Sequence, residues 1–142
     1  MDKKRIRFGD YIRNKRLADP RELTMQDVAD HLGVAKSYVS LIENNYKKPF
    51  DKEKLEKLAK FLKMTEEETT TMYDLASRET SEVPHDIEKT FLDDEVGGLA
   101  RYALRQSKKG IFKEEDWKTF IRETEAKKKE EAKNQVKKKK QE

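Results

Sequence analysis

With 142 residues, 34% of them hydrophobic and 44% charged, the chain has room for one domain of ordinary size or two small ones around a modest core. The absence of cysteine excludes a disulfide framework and thiolate chemistry; with no apolar run of about 18 residues and no apolar leader, the chain is expected to be soluble and cytoplasmic, with no membrane partner. The net charge of +4 is uneven, with 16 Lys and Arg against 10 Asp and Glu in residues 1–63, 9 against 16 in residues 64–125, and 8 against 3 in residues 126–142. A positive field on the first piece favours a polyanionic partner.

Residues 2–7 form a basic arm with one apolar side chain, Ile6. It reads either as a frayed terminus or as an arm reaching phosphates or the minor groove. Phe8, Ile12 and Arg16 share a helical stripe with Tyr11 beside it, which predicts a first helix over residues 8–18, ended by Asp19-Pro20. Thr24 with Asp27 three residues on is a capping box that starts a second helix at Met25. Val28, Ala29 and Leu32 form its apolar face, and Gly33 can supply the positive φ that ends it.

A third helix is predicted from Ala35 or Lys36 to Asn44-Asn45, where asparagine tolerates the left-handed conformation. Its cap is poor, since alanine cannot accept a backbone hydrogen bond, a deficit of about 0.5 to 2 kcal/mol relative to Ser or Thr. Val39 and Ile42 face inward, which leaves Lys36, Ser37, Ser40, Leu41 and Asn44 outside. One cation, two hydroxyls, an amide and a methyl-bearing side chain suit phosphates and base edges.

Beyond Lys47-Lys48-Pro49, Asp51 opens a fourth helix to about residue 63, with Leu55, Leu58, Ala59 and Leu62 on its inner face. Thr65 and Glu68 make a capping box for a fifth helix over residues 66–78, whose Met72, Tyr73 and Ala76 face inward. These helices predict a first domain over residues 1–78, whose third helix is the expected contact to DNA. After a linker at residues 80–84, Ile87 and Phe91 mark a short helix, and Val96, Leu99, Ala103 and Leu104 a second one weakened by Gly97-Gly98. Past Gly110, Trp117, Phe120, Ile121 and Thr124 follow the spacing of a third.

Residues 79–125 are too few to bury much alone and are expected to dock on the first domain or on a second copy. Ile87, Phe91, Leu99, Leu104, Trp117, Phe120 and Ile121 are the candidates for a dimer contact. Residues 126–142 form a charged tail, helical or disordered, with only Ala126, Ala132 and Val136 apolar. Its run Lys137 to Lys140 reads either as solvated surface or as a sequence-blind contact to phosphates. The fold class is all-α.

Enzyme chemistry finds little support. His31 and His85 stand apart from any Cys or other His, and His31 is expected on the exposed side of its helix. The acidic clusters at residues 66–68 and 114–116 sit in predicted first turns, where they complement the helix dipole. No catalytic residue, cofactor or metal is expected.

Residues 8–62 resemble the helix-turn-helix domain of the phage-repressor and Cro-like family, also called the XRE family. The likeness rests on Gln26 at the second position of the motif, on Ala29 and Gly33, on Ile42-Glu43 at the end of the recognition helix, and on Pro49 before the fourth helix. It implies a five-helix domain whose third helix enters the major groove. Lys36 and Ser37 would then be the first base readers, with Ser40 and Leu41 one turn along. Lysine suits the O6 and N7 acceptors of guanine, serine serves either base, and leucine can meet a thymine methyl. The resemblance assigns phosphate contacts to Gln26, Asn44, Lys47 and Lys48; for Tyr38 it offers a phosphate contact through the hydroxyl, against plain packing at the core edge. It also pairs Arg16 with Glu43, an ion pair tying the first helix to the recognition helix. Ala35, Leu41 and Asn45 depart from the usual cap, polar reader and turn glycine, so direct readout is expected to be thin and specificity to depend on pairing two heads.

The function implied is a homodimeric, sequence-specific regulator of transcription, a repressor that binds an inverted repeat in double-stranded DNA. Val83-Pro84-x-Asp86-Ile87 and Trp117-x-x-Phe120-Ile121 resemble C-terminal extensions that dimerise in this family and that a regulatory protease cuts in some relatives. The alternative is an antitoxin that autoregulates its operon and binds a basic toxin through its acidic C-terminal helices. A further rival is a helix-turn-helix used only as a protein scaffold, for which Lys36→Glu and Gln26→Ala would leave function intact.

Overall fold

In the computed structural model, which describes residues 5–141, the chain divides into two compact units, Met1–Lys89 and Thr90–Glu142. The described residues form eight α-helices and no strand.

The first unit begins with α1 (Phe8–Ala18), α2 (Met25–Leu32) and α3 (Lys36–Glu43), followed by α4 (Lys52–Phe61) and α5 (Glu66–Thr80). α2 packs on α3 and α4, and α1 packs on α3 and α5. The expected stripes meet in one core: Phe8 and Ile12 from α1, Val28 and Ala29 from α2, Val39 and Ile42 from α3, Leu55 and Leu58 from α4, and Met72 from α5 are buried. Burying apolar area of this kind is the main drive for such a bundle. Phe50 joins them, 2% exposed and edge-on to Phe8 at 6.4 Å and to Tyr38 at 5.7 Å. It sits in the loop before the Asp51 cap, so no helical periodicity marks it. His31 is exposed and stacks on Phe61, with ring centroids 4.2 Å apart.

Both helix ends follow local chemistry. Thr24, Asp51 and Thr65 accept hydrogen bonds from the backbone N–H of Asp27, Lys54 and Glu68. At the other end, α2, α3, α4 and α5 stop where Gly33, Asn45, Lys63 and Ser81 take φ of 70°, 62°, 51° and 56°. In each the next N–H reaches back to a carbonyl five residues earlier: Val34 to Ala29, Tyr46 to Leu41, Met64 to Ala59 and Glu82 to Ser77. This closure satisfies carbonyls that the helix leaves open.

The expected bounds shift at two places. α4 ends at Phe61 rather than near residue 63, because Lys63 takes the left-handed position of that closure. α5 runs on to Thr80, two residues past the expected end at residue 78. Its last turn is held by the arm: Arg7 donates to Glu79 at 3.0 and 2.9 Å, and Arg78 donates to the carbonyl of Ile6 at 2.6 Å. Ile6 and Arg7 are therefore neither a frayed end nor a free arm, since α5 supplies fixed partners; residues 2–4 lie outside the described residues.

The division between the units falls within α6 (Glu88–Leu92). In the second unit α7 (Val96–Lys108) and α8 (Glu114–Gln141) are joined by a turn in which Gly110 takes φ of 78°. The N–H of Gly97 donates to Asp93 at 2.7 Å, which supports the first turn despite its two glycines. Trp117 donates from Nε1 to the Ser107 hydroxyl at 2.9 Å and meets Phe112 edge-on at 4.7 Å. α8 continues unbroken through the tail to Gln141 and buries no residue. Its Lys, Glu, Ala and Gln content favours helix. Ion pairs of Lys118 with Glu114 and Glu115, and of Lys128 with Glu125, add local support. None of the described helices is long and apolar enough to cross a membrane.

Candidate nucleic-acid interface

α2, the Gly33 turn and α3 bring two short helices together through Val28, Ala29, Val39 and Ile42, all 0% exposed. The opposite side of α3 is open: Lys36, Ser37, Leu41 and Asn44 are exposed and Ser40 is half-buried. Ala35 gives α3 no side-chain cap, while Thr24, Asp51 and Thr65 cap α2, α4 and α5. The first N–H groups of α3 are left without a side-chain acceptor, and such groups favour negative charge.

The residues expected at phosphates lie on α2, at the end of α3 and in the loop that follows it. Gln26 is exposed, and its amide donates to Asp30 one turn along α2 at 2.7 Å. Asn44 donates to the Ser40 carbonyl at 2.8 Å. Lys47 and Lys48 are exposed in the loop after α3, with the Lys47 ammonium 5.5 Å from the centre of the Tyr38 ring. The Tyr38 ring is half-buried against Phe50, so it packs at the core edge.

Behind the face, two connections fix α3 against α1. Arg16 and Glu43 form a buried ion pair, and Arg16 also donates from Nη1 to the Leu23 carbonyl at 3.0 Å. One guanidinium thus joins α1, the approach to α2, and the end of α3. Asn45 accepts from the N–H of Gly9 at 2.9 Å and donates to Asp10 at 3.2 Å. The helices come so close here that a Cβ on Gly9 would strike the Ile42 carbonyl and the Asn45 side chain. Asn45 is legible in the sequence as a turn residue; its role at the start of α1 is not, because the two lie 36 positions apart.

Residues 12–68 match the protein-family model described as Helix-turn-helix. The chain carries a DNA-binding helix-turn-helix domain. Every residue named above as a base reader or phosphate contact lies inside that helix-turn-helix match, as do Arg16 and Glu43, while the seven dimer candidates lie outside it. Comparisons with curated proteins and with solved structures returned no match. The matched family is regulatory and non-catalytic, and among the described residues no group of three or more His, Cys, Asp or Glu could hold a metal ion.

Proposed function

We propose that the protein is a sequence-specific regulator of transcription, a repressor of the phage-repressor and Cro-like kind that binds an inverted repeat in double-stranded DNA as a homodimer. α3 enters the major groove with Lys36, Ser37, Ser40 and Leu41 toward base edges, while Gln26, Asn44, Lys47 and Lys48 meet phosphates. The observation that carries this reading is the exposed polar face of α3, held at its far end by the buried Arg16–Glu43 pair within the helix-turn-helix match. A single small head buries too little surface for tight specific binding, which favours pairing two of them. Leu99, Phe120 and Ile121, 73%, 52% and 53% exposed, offer apolar surface for that pairing.

Selection of duplexes from a random pool, with the oligomeric state measured on the same sample, tests the reading. A two-fold symmetric consensus bound by a dimer supports it; no enrichment at physiological salt defeats it.

The same exposed apolar side chains, in a segment with 9 Lys and Arg against 16 Asp and Glu over residues 64–125, also favour a second reading. Here the protein is an antitoxin whose C-terminal helices hold a basic toxin. Co-purification of a small basic protein with the chain from its own host separates the two.

A further inference from the structure

We propose that the C-terminal part of α8 is a second, sequence-blind DNA contact, a lysine stripe that follows the phosphate backbone of the duplex engaged by the helix-turn-helix domain; the proposal rests on the DNA-binding reading above. Glu131 is the last acidic residue of α8, and Lys133, Lys137, Lys138, Lys139 and Lys140 follow it. Lys133, Lys137 and Lys140, at i, i+4 and i+7, share one exposed face of α8 with Ala132 and Val136. At 1.5 Å per residue, the stripe spans about 10 Å of helix axis. Each strand of duplex DNA carries one phosphate per about 3.4 Å of axis, so a stripe of this length faces about three of them.

Two observations set it apart from ordinary solvated surface. Earlier on the same helix, lysines have acidic neighbours: Lys118 lies 3.4 Å from Glu114 and Lys128 lies 3.8 Å from Glu125. Lys137, in contrast, has no Asp or Glu three or four positions away on either side and Lys133 has only Glu130, and Lys133, Lys137 and Lys140 succeed one another at the spacings where like charges repel. That repulsion disfavours the helix by itself, and a polyanion relieves it.

The chemistry of this face favours phosphodiesters over an anionic membrane. Its apolar part is only Ala132 and a 54% exposed Val136, whereas a helix lying in a bilayer surface needs large apolar residues such as Trp, Phe or Leu to insert. A DNA backbone requires positive charge alone. Once the helix-turn-helix domain is bound, contact by the tail is intramolecular, at an effective concentration set by the intervening chain.

The test compares the chain with its Lys133→Gln, Lys137→Gln, Lys140→Gln variant, in which glutamine preserves helix propensity. Each is titrated against a duplex enriched by selection and a random duplex of equal length, across a range of salt. Every lost phosphate contact flattens the dependence of log K on log salt by about 0.9, so the triple variant is expected to lower the slope by up to about 2.7. The change is equal on both duplexes and leaves their affinity ratio intact, whereas Lys36→Ala reduces that ratio. An unchanged slope with an intact ratio overturns the tail contact and leaves the reading of α3 standing. A flattened slope on duplexes that the unaltered chain does not distinguish supports the tail contact and overturns sequence-specific recognition. Loss of binding to phosphatidylserine vesicles without any change in the DNA slope overturns the proposal in favour of a membrane surface.

Discussion

Arg16 on α1 and Glu43 at the end of α3 meet through two parallel hydrogen bonds, Nε to Oε2 at 2.8 Å and Nη2 to Oε1 at 2.9 Å, with side chains only 8% and 1% exposed. The planar fork permits one relative orientation of the two groups, so the pair fixes the direction in which α3 leaves the core. Its net contribution to stability is small, because desolvation offsets most of the attraction.

Removing one partner is another matter. Glu43→Ala strands a buried guanidinium and is expected to cost about 3 to 5 kcal/mol. Lys36→Ala, on the open face of α3, should change stability by no more than about 0.5 kcal/mol while weakening duplex binding. Equal melting temperatures for Glu43→Ala and the unaltered chain would refute the role given to the pair.

Asn45 combines a left-handed backbone with a side chain that serves Gly9 and Asp10. Asn45→Ala leaves the Gly9 N–H without its acceptor and places a Cβ residue at positive φ, an expected loss of about 1 to 3 kcal/mol. Asn45→Gly loses the hydrogen bonds but relaxes the backbone, so its loss should be smaller. Urea denaturation of both variants gives the order, and a glycine variant weaker than the alanine one contradicts the assignment.

Acid should act partly through Glu68. The Lys15 ammonium, followed by the Thr65 backbone N–H, holds its carboxyl at about 2 from an ordinary 4.5. A depressed carboxylate contributes stability that is present above about pH 4.5 and lost as pH falls through about 2. Asp19, held at about 2 by Arg21 from an ordinary 3.8, acts in the narrower window between those two values. Glu68→Gln preserves the capping geometry, so its urea midpoint should fall less steeply than that of the unaltered chain between those limits. An unchanged pH profile would remove Glu68 from the account.

Pairing of two heads can be tested on the second unit. Leu99→Lys with Ile121→Lys alters two side chains that are 73% and 53% exposed, so the fold should survive. Sedimentation should then show a monomer, with affinity for an inverted repeat reduced more than affinity for a half-site. A dimer that persists in the double variant would place the contact elsewhere.

Several elements of this fold were legible because their signals are local. The capping boxes at Thr24 and Thr65, the Asp51 cap and the stripes of α1 to α5 require only residues within one or two turns. Gly33 and Asn45 were readable as helix ends because their types tolerate positive φ. Lys63 and Ser81 do the same work although neither residue type signals positive φ; both are exposed, and the local backbone bonds of Met64 to Ala59 and of Glu82 to Ser77 close the helix around them. Phe50 escaped for a related reason: it is buried from a loop, where periodicity has no meaning. At the candidate interface, the residue types on α3 could be listed from spacing, while the Arg16–Glu43 pairing came from family likeness.

By itself, then, the sequence determined which segments coil, where most helices begin, and which face of α3 stays polar, because hydrogen bonding and side-chain periodicity within a helix are short-range. Only the tertiary structure decided that Arg7 and Ile6 are tied to α5, that Asn45 holds the start of α1, and that Phe50 completes the core. Those contacts join residues far apart in the chain, and their geometry exists only after the helices have packed.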